Sequence, residues 1–453
     1  MNMKTTGTID EPQKYLSDDT LNISPYAVSL EKFIRKCDTP ITIGLQGEWG
    51  SGKTTLSNMI YNSIEEKDEN IMQIWINAWE YSLFNQPKES LMLMLNKIID
   101  VMVEKSTISN KAKNMFKDRV QNVGKGVIRF AAGMTGGRAG ADVAKELTDS
   151  FETISSLRKE IEKISNEIVI DNKKIEKIVI YVDDLDRINP SQAVSLLEVF
   201  KNVLCIPRCV FVLAIDYDVV VKGLQEKFGD NISFEEWEYK AFFDKIIQLA
   251  FTMPMSQYDI GKYVNNLLVD SGFLSVDQKY DKEISSIISW TIGKNPRSIK
   301  RLCNSLSLID IFTQERKDVD DIFEDEDLLV IALVCLQIEY FKIYELFLKN
   351  PDFRSWDEKN FAFSVTKKEE EENLERFNED LRIASMSDNF DEEWEKVIFR
   401  VCYNSKKYRQ NAEKISKLLS FIDNIIFENL TYEETISAIK NTLNKTSLTS
   451  IKT

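Results

Sequence analysis

Ile41-Thr-Ile-Gly-Leu-Gln-Gly-Glu-Trp-Gly-Ser-Gly-Lys-Thr54 is the stretch whose reading decides the fold. A mostly apolar run enters a glycine-studded loop, and Leu56, Met59 and Ile60 then recur at helical spacing. This is strand, loop and helix, with G-x-x-x-x-G-K-[ST] filled at every fixed position. Gly47, Gly50 and Gly52 let the backbone turn with its N–H groups inward, a cradle for phosphate oxygens. Lys53 can reach terminal phosphates as a point charge, and the Thr54 hydroxyl can ligate Mg²⁺. A helix starting near Thr54 adds the positive end of its dipole. The pattern predicts a nucleoside triphosphate site formed by Gly47, Glu48, Trp49, Gly50, Ser51, Gly52, Lys53, Thr54 and Thr55.

Such a site needs a carboxylate at the end of a neighbouring strand to hold Mg²⁺. The apolar run Ile178–Val182, followed by Asp183, fits that need. Asp184 is then the candidate to orient or deprotonate an attacking water, though an aspartate reaches less far than a glutamate. Asp186 and Arg187 lie just beyond, where they can order the loop or reach a phosphate. Val210–Ile215 is a second fully apolar run, ending in Asp216, and two readings stand for that residue: it senses phosphate or it caps the next helix. Further strands are expected over 71–77 and 247–252, and helices over 26–36, 88–105 and 191–204. Ser24 is expected to cap the first of them, with Pro25 at its first position. Continuous apolar strands alternating with helices predict an α/β fold: a mostly parallel sheet covered on both faces.

From Pro254 onward the period is helical. Helices are expected over 258–271, 281–292 and 296–313, then over 328–349, 369–385, 391–403, 407–428 and 432–443. The domain reading is a core over 1–254, an all-α lid over 255–313 and an acidic helical domain over 314–453. Arg297 and Lys300 stand near a helix N-terminus, where the dipole disfavours cations. An anion arriving there, here the triphosphate, makes that placement intelligible.

The 453 residues carry 58 Lys and Arg against 73 Asp and Glu. Residues 311–453 alone hold 20 against 30, an acidic surface that suits a protein partner better than a nucleic-acid backbone. The chain contains no histidine, so proton transfer falls to carboxylates, lysines or water. Six scattered cysteines read as buried thiols of a reducing, cytoplasmic compartment, and Cys205 and Cys209 lack a second pair to make a zinc site. No apolar run is long enough to span a membrane, and the N-terminal residues have no signal-peptide pattern. Residues 106–175 interrupt the α/β rhythm with a glycine-rich stretch over 124–140, bearing Arg119, Lys125, Arg129 and Arg138 in and before it, and then a long helix over 141–169. This stretch is either an inserted loop or helix pair, or a hairpin that docks on a membrane surface or a partner.

Together, Gly47–Thr54, Ile76-Asn-Ala-Trp-Glu-Tyr81, Asp183-Asp-Leu-Asp-Arg187, Ala214-Ile-Asp216, Asp244-Lys-Ile-Ile-Gln248 and Asn295-Pro-Arg297 resemble the KAP family of P-loop NTPases, in order and over roughly residues 20–310. The resemblance implies an ATP-binding P-loop NTPase three-layer sandwich; the α-helical C-terminal domain beyond the lid rests on the helical period alone, since residues 311–453 carry no motif of the family. The resemblance places Asp183 on Mg²⁺ and Arg297 as a second-sensor arginine. The leading reading of these residues is an ATPase switch that changes oligomeric state or the binding of a protein partner or effector from a neighbouring gene, and the resemblance implies a setting in bacterial antiviral defence. Many members insert two transmembrane helices where this chain has 106–175, which is too polar to span. The absence of an Asn-Lys-x-Asp motif favours ATP over GTP. Two other readings are a non-hydrolysing, nucleotide-stabilised scaffold and a DNA-associated ATPase.

Overall fold

The computed structural model describes residues 7–82, 87–105, 154–156, 158–159, 161–166, 169–170, 173–201, 203–228, 236–275, 280–316, 325–357, 379–384, 390–403 and 405–449. The chain divides into two compact units: Pro12–Pro254, and Met1–Glu11 together with Met255–Thr453.

In the first unit the apolar runs become β1 (Ile41–Gln46), β2 (Ile71–Asn77), β3 (Lys177–Asp183), β4 (Cys209–Ile215) and β5 (Leu249–Thr252). They pair in the order β2-β3-β4-β1-β5, every pair parallel. β5 starts two residues later than its apolar run suggests, because the amides of Ile246 and Ile247 bond back to the Phe243 carbonyl.

Side chains alternate along a strand, so each strand feeds two cores. Met72, Ile74 and Ile76, Ile178, Ile180 and Val182, and Phe211, Leu213 and Ile215 share one face. They pack against α3 (Pro87–Lys105), α4 (Pro190–Phe200), α5 (Tyr217–Phe228) and α6 (Glu236–Asp244). The opposite face carries Trp75 and Tyr181, stacked with centroids 5.3 Å apart, and meets Tyr61 of α2 (Lys53–Lys67). α1 (Ser24–Lys36) packs on α2. The result is helices, parallel sheet, helices: the P-loop NTPase sandwich.

Ser24 does not cap α1 through its side chain. Its hydroxyl instead lies 2.5 Å from Asp19 Oδ2, and Asp19 also accepts the amides of Ser24 and Leu21. The glycine-rich stretch over 124–140 falls outside the described residues. Of the helix expected over 141–169, only pieces between 154 and 166 are described as helical; Val169–Ile170 instead pairs antiparallel with Lys173–Lys174.

The second unit is helical: α7 (Ile260–Ser271), α8 (Asp281–Trp290), α9 (Pro296–Arg316), α10 (Glu326–Glu339), α11 (Phe341–Lys349), α12 (Glu393–Tyr403), α13 (Ala412–Phe421) and α14 (Tyr432–Thr446). Leu328 to Gln337 of α10 are all buried, as expected of a helix enclosed by others, and α8, α9, α11 and α14 pack around it. The helix expected over 328–349 is two, broken at Tyr340 (φ −126°, ψ 57°), whose hydroxyl donates to the Trp290 carbonyl. Of the residues 369–385, only 379–384 are described, and they are helical. Among the described residues no helix is long and apolar enough to cross a membrane.

Candidate functional site

The loop after β1 is tied to the next strand: the Gly47 amide donates to the Ile215 carbonyl, and the Trp49 amide to Asp216 Oδ2 at 3.0 Å. Asp216 also accepts from the Asp218 amide, so one carboxylate caps α5 and anchors the loop. Gly52 precedes α2 at φ 99°, a conformation that side chains resist. A Cβ on Gly47 would lie 2.6 Å from Ser51 Oγ and 2.9 Å from Met253 Cγ, so a side chain there would force Ser51 or Met253 to shift.

Lys53 opens α2 and turns back into the loop. Its ammonium donates to the carbonyls of Gly47 (2.8 Å) and Glu48 (3.1 Å) and to Asp186 Oδ2 (2.9 Å). Asp183 is buried at the end of β3, level with Asn77 at the end of β2. Its Oδ1 accepts the Asp184 amide, and the Thr54 side chain hydrogen-bonds to the same carboxylate. Burial raises the Asp183 carboxyl above its ordinary range; the charges of Asp184 and Asp186 push the same way, against the two hydrogen bonds.

Asp184 adopts a left-handed conformation (φ 60°, ψ 28°) that turns the chain sharply. Both its oxygens are engaged: Oδ2 accepts from Asn77 Nδ2 at 2.9 Å, and Oδ1 meets Arg187 Nε at 2.6 Å. The Arg187 guanidinium lies 5.8 Å from the Trp79 ring centroid. Loop, Lys53, Thr54, Asp183 and Asp184 thus converge at the carboxyl ends of β1 and β3, where open α/β sheets bind ligands. Glu48, Trp49, Gly50, Ser51 and Thr55 lie in the loop or the first turn of α2. The donors suit the group they would hold: a turn that a Cβ would fill, a cation inside it, and a hydroxyl beside a strand-end carboxylate.

Arg297 lies in the second unit, in the first turn of α9. Asn295 Oδ1 accepts the Arg297 amide (3.0 Å), and Arg297 Nε donates to Asp10 Oδ2 (2.5 Å). Lys300 Nζ donates to the carbonyls of Ile9 and Glu11, while Asn304 exchanges two bonds with the backbone of Thr8. An anion does sit at this helix start, and Asp10 of the same chain supplies it. Sequence reasoning missed Asp10, and it gave Asn77 no role. The polar residue ending β2 at the level of Asp183 was the available signal for Asn77.

Against family models, residues 23–311 match the KAP family P-loop domain. The chain belongs to the KAP family of P-loop NTPases. The Phage T7 exclusion protein of Escherichia coli strain K12 is 25% identical over 308 residues, 58% of this chain. Those residues span only 38% of that relative's length. Two solved structures align broadly and loosely. The Aeropyrum pernix ORC1 protein in complex with DNA is 13% identical with a TM-score of 0.35, over 95% of this chain and 94% of that one. AMPPCP-bound DnaA from Aquifex aeolicus is 11% identical with a TM-score of 0.34, over 97% and 99%.

The buried carboxyl of this KAP chain gives a testable pH dependence. Its folded pKa is raised, so the parent loses stability as pH rises from the ordinary carboxylate value of 3.8 through the folded value. Asp183→Asn has no such loss. Its melting temperature is expected to exceed that of the parent at pH 7, the gap closing as pH falls below 3.8. Equal melting temperatures at pH 7 would count against a desolvated charge at Asp183.

Proposed function

We propose that this KAP chain is an ATP-binding, slowly hydrolysing switch that couples nucleotide state to oligomerisation or to a protein partner. The observation that carries the reading is Lys53 turned into its own loop beside the Thr54–Asp183 pair. The loop amides and Lys53 would hold the phosphates, while Thr54 and Asp183 would hold Mg²⁺. When bound, Mg²⁺ supplies charge neutralisation across the phosphate oxygens. Asp184, aimed by Asn77 and Arg187, would position the attacking water, and Arg297 would report the nucleotide from a lid over 255–313. The acidic helices of 314–453 would face the partner or effector, in the cytoplasm. The printed name of the Escherichia coli relative supports a setting in anti-phage defence.

The geometry of Asp184 also favours a second reading, a scaffold that binds nucleotide without hydrolysing it, because both carboxylate oxygens are already engaged. One experiment separates the two. The mass of the purified chain is measured by light scattering with ATP, with ADP and without nucleotide, alongside phosphate release from the parent and from Asp184→Asn. A switch gives an ATP-dependent mass and turnover that falls at least tenfold in the variant. A scaffold shows no turnover in either protein. An unchanged mass with turnover insensitive to Asp184→Asn sinks the switch.

A further inference from the structure

We propose that Asp186 sets the nucleotide affinity of this site by competing with the terminal phosphates for Lys53, an inference that rests on reading Gly47–Thr54 as a phosphate loop. An ammonium has three hydrogens to donate. On Lys53 all three have acceptors within 3.1 Å: the Gly47 and Glu48 carbonyls and Asp186 Oδ2. A phosphate oxygen reaches Nζ only as one of these leaves. The carbonyls are fixed by the turn that makes the loop, whereas the carboxylate is a like-charged alternative to the phosphate.

Both ends of the pair are hidden from solvent, at 6% and 5% side-chain exposure. Salt and water screen it little, so the competition is strong. Its geometry comes from the turn before it. With Asp184 in the left-handed region, the short 3₁₀ turn Leu185–Arg187 sends Asp186 to Lys53 while Asp184 goes to Asn77 and Arg187. Neighbouring carboxylates thus face different partners. After exchange, Asp186 would be left beside the phosphates as a repelling charge, so the anion weakens binding both before and after the swap. Asp186 is a positioning residue, acting through Lys53.

The test uses the full chain and calorimetric titration with ATP and with ADP, each in Mg²⁺ and in EDTA, for the parent and Asp186→Asn. The neutral variant is expected to bind ATP about tenfold more tightly in both conditions, and to melt at a lower temperature than the parent without nucleotide, since Lys53 loses its counter-charge. Unchanged affinity with a lower melting temperature would overturn the proposal, leaving the pair purely structural. Affinity lost only in Mg²⁺ would overturn it too, making Asp186 a metal ligand. If Asp186→Asn does not fold, Asp186→Ser, smaller and also neutral, carries the same expectations. A parent that binds neither nucleotide refutes the phosphate-loop reading itself; a parent that binds beside a variant that gains nothing refutes only the role of Asp186.

Discussion

Replacing Lys53 with alanine is expected to abolish nucleotide binding and, in the same stroke, to lower folding stability by about 3–5 kcal/mol, the usual effect of removing one partner of a buried ion pair. The side chain is nearly enclosed, and without it Asp186 stays buried with no ammonium opposite while the carbonyls of Gly47 and Glu48 lose their donor. Urea denaturation reads the first effect and ATP titration the second. A paired variant separates them. Lys53→Met with Asp186→Leu fills the same space with apolar groups and is expected to regain most of the stability, since a buried pair contributes little net stability over a packed apolar one. It is expected still to bind no ATP. A Lys53→Ala protein that denatures like the parent and keeps its ATP affinity would remove the loop from any functional account.

The second large effect lies in the other unit. Trp356 is fully buried, edge-on to Phe347 with centroids 5.0 Å apart, and near Phe353, which in turn meets Trp394 of α12. Its indole N–H donates to the Asn350 carbonyl at 2.9 Å, closing the turn after α11. Trp356→Ala is expected to cost about 3–5 kcal/mol, from the cavity and the lost bond together. Trp356→Phe keeps a ring and is expected to cost clearly less. Denaturant midpoints of the two variants check this, and equal shifts would mean that the ring packing contributes little.

Much of the first unit was legible because its signals are local. A backbone that must turn its amides inward requires glycine at set positions, and a strand buried on both faces requires an unbroken apolar run, as in Val210–Ile215. The division between Asp184 and Asp186 was not legible. It depends on one left-handed residue, Asp184, with no glycine or asparagine to mark it. The break at Tyr340 was hidden for a related reason: no proline or glycine stands there, and α10 is apolar on every side, so no period can drift. Arg297 was singled out from its awkward charge at a helix start. Its answer, Asp10, lies 287 residues away and is found only by folding the chain.

That separation has a consequence for the order in which the molecule is made. Ribosomes extend chains at about 5–20 residues per second, so α9 emerges roughly 15–60 s after Asp10. Pro12–Pro254 is complete before any of α9 exists. The bonds from Thr8–Glu11 to Arg297, Lys300 and Asn304 are therefore late closures, formed by an early segment that has waited through the synthesis of an entire sheet.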